Sequence, residues 1–453
     1  MDAPMRLQQS VQQFVQVVED LGRRIREEGS GRPDLHTVEL AVRESLRLVG
    51  QAAMSEVACA YGTGRAGNRQ PCACGSQARF KAVHGRQVTD LYGGVLQLQR
   101  AYYFCEACGQ GMLPLDRELG LGPEELTPAL ADIVEMLGVI APFESAARVV
   151  EQTLGVQISG ERIRRRTERT GALCLVEDEL SAQRACAPGG VESSVAERPV
   201  EAEQHFYVMA DGGMVPTHEG YREAKVGVCF KADDHIAKGE RRHMLVHKRF
   251  FGDIDTAEGF GMRMYAAVQD HGVAHDGKNC DLLADGAPWI WNLKAEHLPR
   301  ARETVDWYHA KEHIFTAAHA LYGEGTQAAA AWAEARADEL WRERHANVLA
   351  ALHRTRPRSR AAQEAVVELD RYITTNRRRM RYCSRRAAGL LVGSGPIEGG
   401  ISYVVQNRLK RTGMRWSVCG ARKILALRMR WASGTWESRE SRPAAASAAA
   451  QLP

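Results

Sequence analysis

Apolar side chains in the first sixty residues recur at the spacing of a helix. The positions i, i+3, i+4, i+7 and i+10 are filled by Val11, Phe14, Val15, Val18 and Leu21. A second helical stretch, 36–60, follows a break at Gly29–Pro33. The pattern predicts two helices, which form either an ordinary packed pair or an arm for dimerisation.

Residues 123–170 predict three further helices. The second ends at Gly155, because glycine accepts the left-handed conformation common at helix ends. Ser159 can cap the third helix, although the residue three positions on is not the Glu or Gln of a full capping box. The third helix carries Arg162, Arg164, Arg165, Arg166 and Arg169. A short helix, a glycine turn and an arginine-rich helix are typical of a helix-turn-helix that enters the DNA major groove. Because Glu161 and Glu168 interleave, a solvated basic face is the alternative.

From His205 onward the apolar pattern changes to that of short strands. The predicted elements are strands at 206–211, 221–232 and 242–251, a helix at 255–271, a strand at 279–285, a helix from Pro288 and a strand at 303–308. This βββαβαβ order is that of a ribonuclease H-like core. Residues 310–390 are rich in helical patterns instead.

Composition agrees with a folded, multidomain chain. The 453 residues are 44% hydrophobic and 26% charged, which excludes wholesale disorder. A Pro/Gly/Ser/Glu-rich stretch at 181–203 predicts a linker, and the low-complexity end, 433–453, predicts a disordered tail. No apolar run approaches the roughly 20 residues that span a bilayer. The N-terminus lacks a secretory pattern, so we expect a cytoplasmic protein without a membrane partner.

Four of the eleven cysteines are paired along the sequence and predict a structural zinc site. The four are Cys72, Cys74, Cys105 and Cys108. Between the pairs, the alternating stretches 87–92 and 95–104 are joined by Gly93-Gly94, which predicts a β-hairpin. Two cysteine turns brought together by a hairpin describe a zinc ribbon. The first pair is C-x-C rather than C-x-x-C, and four unrelated thiols are the alternative.

Three carboxylates emerge from distant segments. Asp211 and Asp285 end the first and fourth predicted strands, and a glycine follows each. These strands are neighbours in a ribonuclease H-like sheet, so both carboxylates would lie at one edge. Glu398 follows Pro396 in the first turn of a later predicted helix. If this helix packs on the sheet, it brings Glu398 alongside the two aspartates. Three such carboxylates can hold Mg²⁺, or Mn²⁺ in its place, whereas a single Asp-Gly pair is more often a turn.

The charge is strongly asymmetric near Glu398. The net charge of the whole chain is only +4, but Arg371–Arg430 contains fifteen Lys and Arg residues and one acid, Glu398. The candidate DNA contacts after Glu398 are Arg408, Lys410, Arg411, Arg415 and Trp416. Cationic side chains neutralise phosphates and tryptophan stacks on unpaired bases; a solvated basic face is the alternative.

Asp306 and His309 follow the fifth predicted strand. They are either a helix cap with a satisfied histidine or an accessory pair beside the catalytic edge.

Several stretches together resemble the DDE transposases of bacterial insertion sequences, of the ISKra type, which are related to the Mutator-like group. The stretches are Ala210-Asp211-Gly212-Gly213, Asp285 through Asn292, Asp306-Trp307-Tyr308-His309, Ser394 through Glu398, Arg408-Leu409-Lys410 and Gly413 through Trp416. The resemblance implies a ribonuclease H-like fold with an all-helical insertion before the glutamate helix. It also implies Mg²⁺-dependent cleavage and joining of DNA strands by Asp211, Asp285 and Glu398. Asp306 and His309 match an accessory C/D-x-x-H signature, and Ala284 stands where the family leads us to expect glycine.

The predicted protein is therefore multidomain α+β, with a zinc ribbon and a helix-turn-helix before the catalytic core. The predicted segments are a helical region at 1–65, the ribbon at 66–118, the helix-turn-helix at 119–180, the linker at 181–203, the core at 204–309 and 393–432, the helical insertion at 310–392 and the tail at 433–453. Its expected partners are double-stranded DNA, as terminal inverted repeats and target, and further copies of itself, in a nucleoid-associated homodimer or larger assembly. The alternatives are a structure-specific nuclease on the same core and a catalytically silent, transposase-derived DNA-binding regulator.

Overall fold

The structure, a computed structural model, describes residues 3–26, 32–187, 204–238 and 243–436. Within these ranges no helix combines the length and the hydrophobicity that crossing a membrane requires.

The chain is a mixed α+β protein that divides into two compact units, residues 1–167 and 168–453. The first unit holds helices α1 (Ala3–Arg26), α2 (Leu35–Ala60), α3 (Pro114–Glu118), α4 (Pro128–Ile140) and α5 (Phe143–Leu154), and α6 (Gly160–Cys186) begins in it. Its strands are β1 (Arg69–Pro71), β2 (Gln77–Thr89), β3 (Val95–Cys105) and β4 (Gln110–Met112).

The first two helices form where the apolar periodicity predicts them. Asp34 caps α2 by accepting a hydrogen bond from the Thr37 backbone N–H at 2.8 Å. Of the apolar residues that predicted α1, Leu21 is buried, whereas Val11 and Val18 are exposed. Part of the apolar face of α1 therefore lies in solvent.

Strands β2 and β3 form the predicted hairpin, but their connection is longer than a two-residue glycine turn. The link is Asp90–Gly94, and the Asp90 carboxylate accepts hydrogen bonds from the backbone N–H groups of Tyr92 and Gly94, both at 2.8 Å. An aspartate that binds the backbone of its own loop stabilises such a turn. Gly93 supplies the positive φ of 76° that the turn needs.

Helices α4, α5 and α6 bury a shared apolar core that includes Leu130, Val134, Val150 and Ile163. Ser159 caps α6 as predicted, because its hydroxyl accepts from the Arg162 backbone N–H at 3.2 Å.

Two predicted boundaries are wrong. Helix α6 continues to Cys186 instead of giving way to a linker at 181, because 181–187 contains helix-forming residues and no proline. The rest of the predicted linker, 188–203, lies outside the described residues. The last helix ends at Ser433, within the predicted tail, of which 437–453 is likewise outside the described residues.

The second unit is built on a five-stranded sheet. Its strands are β5 (Phe206–Thr217), β6 (Gly220–Lys231), β9 (Lys248–Asp253), β10 (Cys280–Ala284) and β11 (Arg302–Val305). The sheet order is β11-β10-β5-β6-β9; β5, β6 and β9 are antiparallel, while β10 and β11 run parallel to β5. The first and fourth strands of this sheet are therefore neighbours. All five residues of β10 are buried, as expected for a parallel central strand.

Two predicted strands differ from the structure. The run 242–251 is not one strand, because β8 (His243–Leu245) pairs with β7 (His235–Ala237) in a separate ribbon before β9 starts. The fifth strand ends at Val305, because Asp306 caps the next helix.

The remaining helices surround the sheet or follow it. They are α7 (Ala257–His271), α8 (Pro288–His297), α9 (Trp307–Tyr322), α10 (Gln327–Trp341), α11 (His345–Arg354), α12 (Arg360–Asn376), α13 (Tyr382–Ala387), α14 (Gly395–Ile401), α15 (Asn407–Leu409) and α16 (Val418–Ser433). A π-helical turn, Ser402–Gln406, joins α14 to α15. The elements between Trp307 and Ala387 are thus all helices. Buried side chains in them, such as Leu340 and Leu369, share one apolar core with Val208 and Leu282 of the sheet.

Candidate functional site

Asp211 lies within a strand rather than at its end, contrary to the prediction. Strand β5 continues through Gly212 and Gly213 to Thr217, paired with β6 throughout. On its other side β5 pairs with β10 only as far as Met209. Gly213 allows close approach of α14, since a Cβ there would lie 3.3 Å from Ile401. Asp211 therefore sits beside the point where the neighbouring strand ends.

Asp285 comes directly after β10, in a tight turn. Its carboxylate accepts from the Ala287 backbone N–H at 2.8 Å, and Gly286 adopts a φ of +107°. The Tyr372 hydroxyl, from α12, donates to the Asp285 carbonyl at 2.7 Å. The ring of His313 stacks on Tyr372 at 3.9 Å. The helical segment thus holds the backbone of the turn that carries Asp285.

Glu398 lies in the first turn of α14, where the sequence predicts it. The Ser394 hydroxyl donates to its Oε1 at 2.9 Å. Asp306 connects this segment to α9: one oxygen accepts from the Ser394 backbone N–H, and the other accepts from the His309 N–H at 2.6 Å. Asp306 is buried and caps α9, so it positions backbone on both sides of the site.

One cavity of about 280 Å³ collects these side chains. It is lined by Ala210, Asp211, Asp285, Tyr308, His309, Glu312, Ser394, Ile397 and Glu398. Four of these residues are acidic and none is Lys or Arg. Burial raises the pKa of Asp211, and the charges of Asp285 and Glu398 raise it further.

The donor chemistry of this cavity fits a hard divalent cation, since such ions bind carboxylate oxygens and relieve their repulsion. The three carboxylates face one cavity but are more widely spaced than the cysteine sulfurs. Among the residues that the structure describes, only the cysteines form a group of three or more possible ligands whose atoms all lie within 4.8 Å of one another.

The four paired cysteines come together as predicted and could bind a metal such as zinc. The Sγ atoms of Cys72 and Cys108 are 3.6 Å apart, and those of Cys74 and Cys105 are 3.7 Å apart. Four sulfurs at the usual Zn–S bond length, arranged as a tetrahedron, would be separated by about 3.8 Å. Hydrogen bonds from the Ser76 backbone N–H and from neighbouring thiols lower the pKa of Cys74 to about 6, which favours the thiolate that binds metal.

Two of the arginines predicted on the recognition helix are engaged within the first unit. Arg166 is buried and pairs with Glu135 at 2.8 Å. Arg162 is half-buried and donates to the Glu124 carbonyl at 2.7 Å. Both side chains therefore stabilise this unit. Because Arg166 is buried, we correct its assignment as a DNA contact, whereas the DNA contact of the half-buried Arg162 stays a prediction. Arg165 is different, because its side chain is 67% exposed.

Two predicted DNA contacts after Glu398 are also buried. Burial lowers the pKa of Arg408 to about 9, and its guanidinium lies 5.1 Å from the centre of the Trp416 ring. The Trp416 Nε1–H donates to the Leu409 carbonyl at 3.0 Å, and its backbone bonds to the end of β5. These side chains stabilise the fold and present no surface to DNA. The exposed cations of this segment are Lys410, Arg411 and Arg415.

Three residues at the site were not predicted from the sequence. Glu312 is three positions from His309, a spacing that places both on one helix face and that could have revealed it. Ser394 and Tyr372 carry no comparable signal, because each reaches its partner through tertiary packing.

Asp211→Asn is expected to stabilise the metal-free protein at neutral pH. The pKa of Asp211 is raised above 3.8 in the folded state. The carboxyl group therefore contributes fully to the stability of the fold below pH 3.8, and this contribution is lost as the pH rises through the raised pKa. Thermal unfolding in chelator should show a higher Tm for the variant. Added Mg²⁺ should then raise the Tm of the wild type more than that of the variant. A variant less stable than the wild type in chelator would contradict this electrostatic account.

Asp306→Ala should lower the free energy of unfolding by about 1–3 kcal/mol, because it removes a helix cap and leaves buried donors unpaired. Urea unfolding measures the change. The matched control is Asp338→Ala, which removes an exposed ion pair with Arg342 and should cost less than about 1 kcal/mol. Equal effects of the two substitutions would show that Asp306 does not hold the site.

The model of an uncharacterised protein family, UPF0236, matches residues 75–442. This range contains Asp211, Asp285 and Glu398 and begins just after Cys74. No curated protein matches the chain.

Proposed function

Since the chain belongs to the uncharacterised protein family UPF0236, whose name assigns no activity, we propose from the chemistry of its acidic cavity that it is a DDE transposase. It would cleave DNA at the ends of a mobile element and join the freed 3′-hydroxyl to target DNA. The observation that carries this proposal is the convergence of Asp211, Asp285 and Glu398, from three distant segments, on one cavity that no Lys or Arg lines.

The sheet supports a ribonuclease H-like core. Its strand order, with three antiparallel strands followed by two parallel ones, matches that expected for such a core. Asp211 and Asp285 belong to adjacent strands, and α14 packs against β5 with Glu398 in its first turn. The helices from Trp307 to Ala387 would then be the insertion that separates the glutamate from the rest of the core.

The three carboxylates would hold Mg²⁺ or Mn²⁺. When bound, such ions activate the attacking water or 3′-hydroxyl and stabilise the leaving oxygen of a phosphodiester. The residues of the chain orient the ligands. Ser394 holds one oxygen of Glu398, and Tyr372 holds the turn that carries Asp285. His309 lies in the same cavity, and its charge lowers the pKa of Asp211. Such positioning matters because in-line displacement requires aligned reacting groups.

DNA would be bound by each unit separately. In the second unit, the exposed cations Lys410, Arg411 and Arg415 can neutralise phosphates. In the first unit, α5, the left-handed Gly155 and α6 support a helix-turn-helix, with Arg165 among its exposed cations. We propose that this region, together with the cysteine ribbon, recognises terminal inverted repeats. Two DNA ends must meet, so the active form would be a homodimer or larger.

The decisive experiment incubates the purified protein with a labelled duplex from the DNA that flanks its gene, with Mg²⁺, Mn²⁺ or chelator. Metal-dependent nicking followed by joined products supports a transposase. Cleavage without joining, even when pre-cut ends are supplied, would instead indicate a structure-specific nuclease. Tight binding without metal-dependent cleavage would indicate a transposase-derived regulator.

A further inference from the structure

The connection between α11 and α12 carries an arginine at every second position. We refer to this stretch, Arg354–Arg360 with the sequence RTRPRSR, as the arginine segment. Its four arginines are all exposed, and it contains no acidic residue. The nearest acids along the chain are Glu343 and Glu364. The segment is therefore a continuous row of positive charge on the surface of the second unit.

Three arginines of the segment have no carboxylate partner. Within the residues that the structure describes, Arg354, Arg356 and Arg358 form no ion pair, and Arg356 donates to a backbone carbonyl of its own segment at 3.2 Å. The fourth, Arg360, pairs with Glu364 at 2.8 Å, but its side chain is 92% exposed.

Two arginines on neighbouring helix surfaces are arranged differently. Arg342 pairs with Asp338 at 3.0 Å, and Arg371 pairs with Glu368 at 2.6 Å. Ion pairs three or four residues apart stabilise the helix on which they lie. The unpaired arginines of the segment make no such contribution, so their charges are available to a ligand.

The backbone of the segment is extended, which aligns its side chains. Thr355 and Ser359 have extended φ and ψ. Pro357 fixes its own φ and disfavours a helical conformation of Arg356 before it. In an extended chain, residues two apart project to the same side, about 6–7 Å from each other. The alternation therefore favours a row of guanidinium groups on one side.

Both ends of the segment are fixed to α12. His353, the residue before it, contacts the Asp370 carboxylate at 2.7 Å. The Ser359 hydroxyl caps α12 by accepting from the Ala362 backbone N–H at 3.1 Å. A segment that is already held at both ends loses little conformational freedom when it binds a ligand.

We propose that the arginine segment binds the phosphate backbone of double-stranded DNA. Each DNA strand carries a regular row of phosphates, and arginine binds phosphate through two parallel hydrogen bonds. The segment has no aromatic side chain on which an unpaired base could stack, and no large apolar side chain that could enter a membrane. Binding is therefore to the backbone of a duplex and independent of its base sequence.

This surface adds to the exposed cations after Glu398, and it rests on the proposed function in that DNA is the ligand. On α12, Arg360 lies about 18 Å from Tyr372, which holds the turn of the acidic cavity. At about 3.4 Å per base pair, this distance is roughly five base pairs of duplex. The segment therefore contacts DNA away from the cleaved bond and contributes to affinity.

The test compares two variants that remove the same charge from the same group of helices. Arg356→Gln with Arg358→Gln neutralises two unpaired arginines of the segment, and Arg342→Gln with Arg371→Gln neutralises two paired ones. All four positions are exposed, so neither variant should unfold. Binding to a labelled duplex of arbitrary sequence is measured without Mg²⁺ or Mn²⁺, from roughly 50 to 200 mM salt.

The slope of log K against log salt should become shallower by about 1.8 for the segment variant, because each phosphate contact contributes about 0.9. Its affinity should fall roughly tenfold or more. The control should keep the wild-type slope and an affinity within about threefold, because its charges lie outside the surface and are screened. Arg356→Lys with Arg358→Lys keeps both charges and should also keep the slope.

A segment variant that binds like the control would overturn the proposal. So would a lysine variant that loses as much slope as the glutamine variant, since charge would then not be the cause. A wild type that binds vesicles of anionic lipid but not duplex DNA would overturn it as well.

Cleavage with Mg²⁺ is measured separately. A wild type that cleaves DNA, beside a segment variant that binds like the control, overturns this surface and leaves the proposed activity standing. A wild type that shows the difference in slope but never cleaves supports the surface and counts against the transposase.

Discussion

Glu398→Gln should reduce metal-dependent strand cleavage by roughly 1,000-fold or more, while DNA affinity stays within about twofold. Glutamine keeps the length of the side chain and can still accept the Ser394 hydrogen bond. What it lacks is the negative charge that a hard cation requires. Cleavage of a labelled duplex and binding of the same duplex, measured side by side, separate the two effects.

The matched control is Glu312→Gln. Glu312 lines the same cavity from α9 but lies outside the proposed triad. Its substitution removes the same charge from the same cavity and should change cleavage by less than about tenfold. Cleavage retained in Glu398→Gln would remove that residue from the site. An equal loss in Glu312→Gln would mean that total charge, rather than a specific ligand, is what the reaction needs.

Cys105→Ser should reduce bound zinc from about one ion per chain to nearly none, and should destabilise the segment from β1 to β4. The Cys105 sulfur is buried and lies 3.7 Å from that of Cys74. A serine hydroxyl at this position is a poor replacement for a thiolate ligand. Elemental analysis of the purified protein gives the metal content, and hydrogen exchange gives the local stability.

Cys59→Ser is the control for the loss of a thiol, because Cys59 is exposed on α2 and lies outside the cluster. It should leave both zinc content and exchange rates unchanged. Zinc content that is unaffected by Cys105→Ser would show that the four thiols do not form a metal site.

Local features of the fold were predictable because they depend on neighbouring residues. Helices α1 and α2, the β2–β3 hairpin and the strands beginning at Phe206 follow from apolar periodicity and turn residues. The paired cysteines were predictable for the same reason, since short spacing and a hairpin suffice to bring two pairs together. Two aspartates, each followed by glycine, and an isolated glutamate predicted the three carboxylates that line the cavity.

Predictions failed where burial decides the role of a charged or aromatic side chain. The sequence predicts Arg408 and Trp416 as DNA contacts, but the two side chains are buried against each other and the end of β5. The sequence also predicts Arg166 as part of a basic helix face, but this side chain forms an ion pair with Glu135 inside the first unit. A sequence shows which residues are charged, whereas exposure depends on contacts with segments far away along the chain.

The sequence of this protein was enough to predict most of its helices and the central strands of its sheet, its cysteine cluster and the three carboxylates of the cavity, because spacing and residue type specify them. The tertiary structure alone shows that Asp211 lies inside a strand, that Ser394 and Tyr372 hold the segments around the cavity, and that part of the apolar face of α1 lies in solvent. Each of these depends on which distant surfaces pack together. Packing of that kind is set by the whole chain and leaves no periodic or local signature.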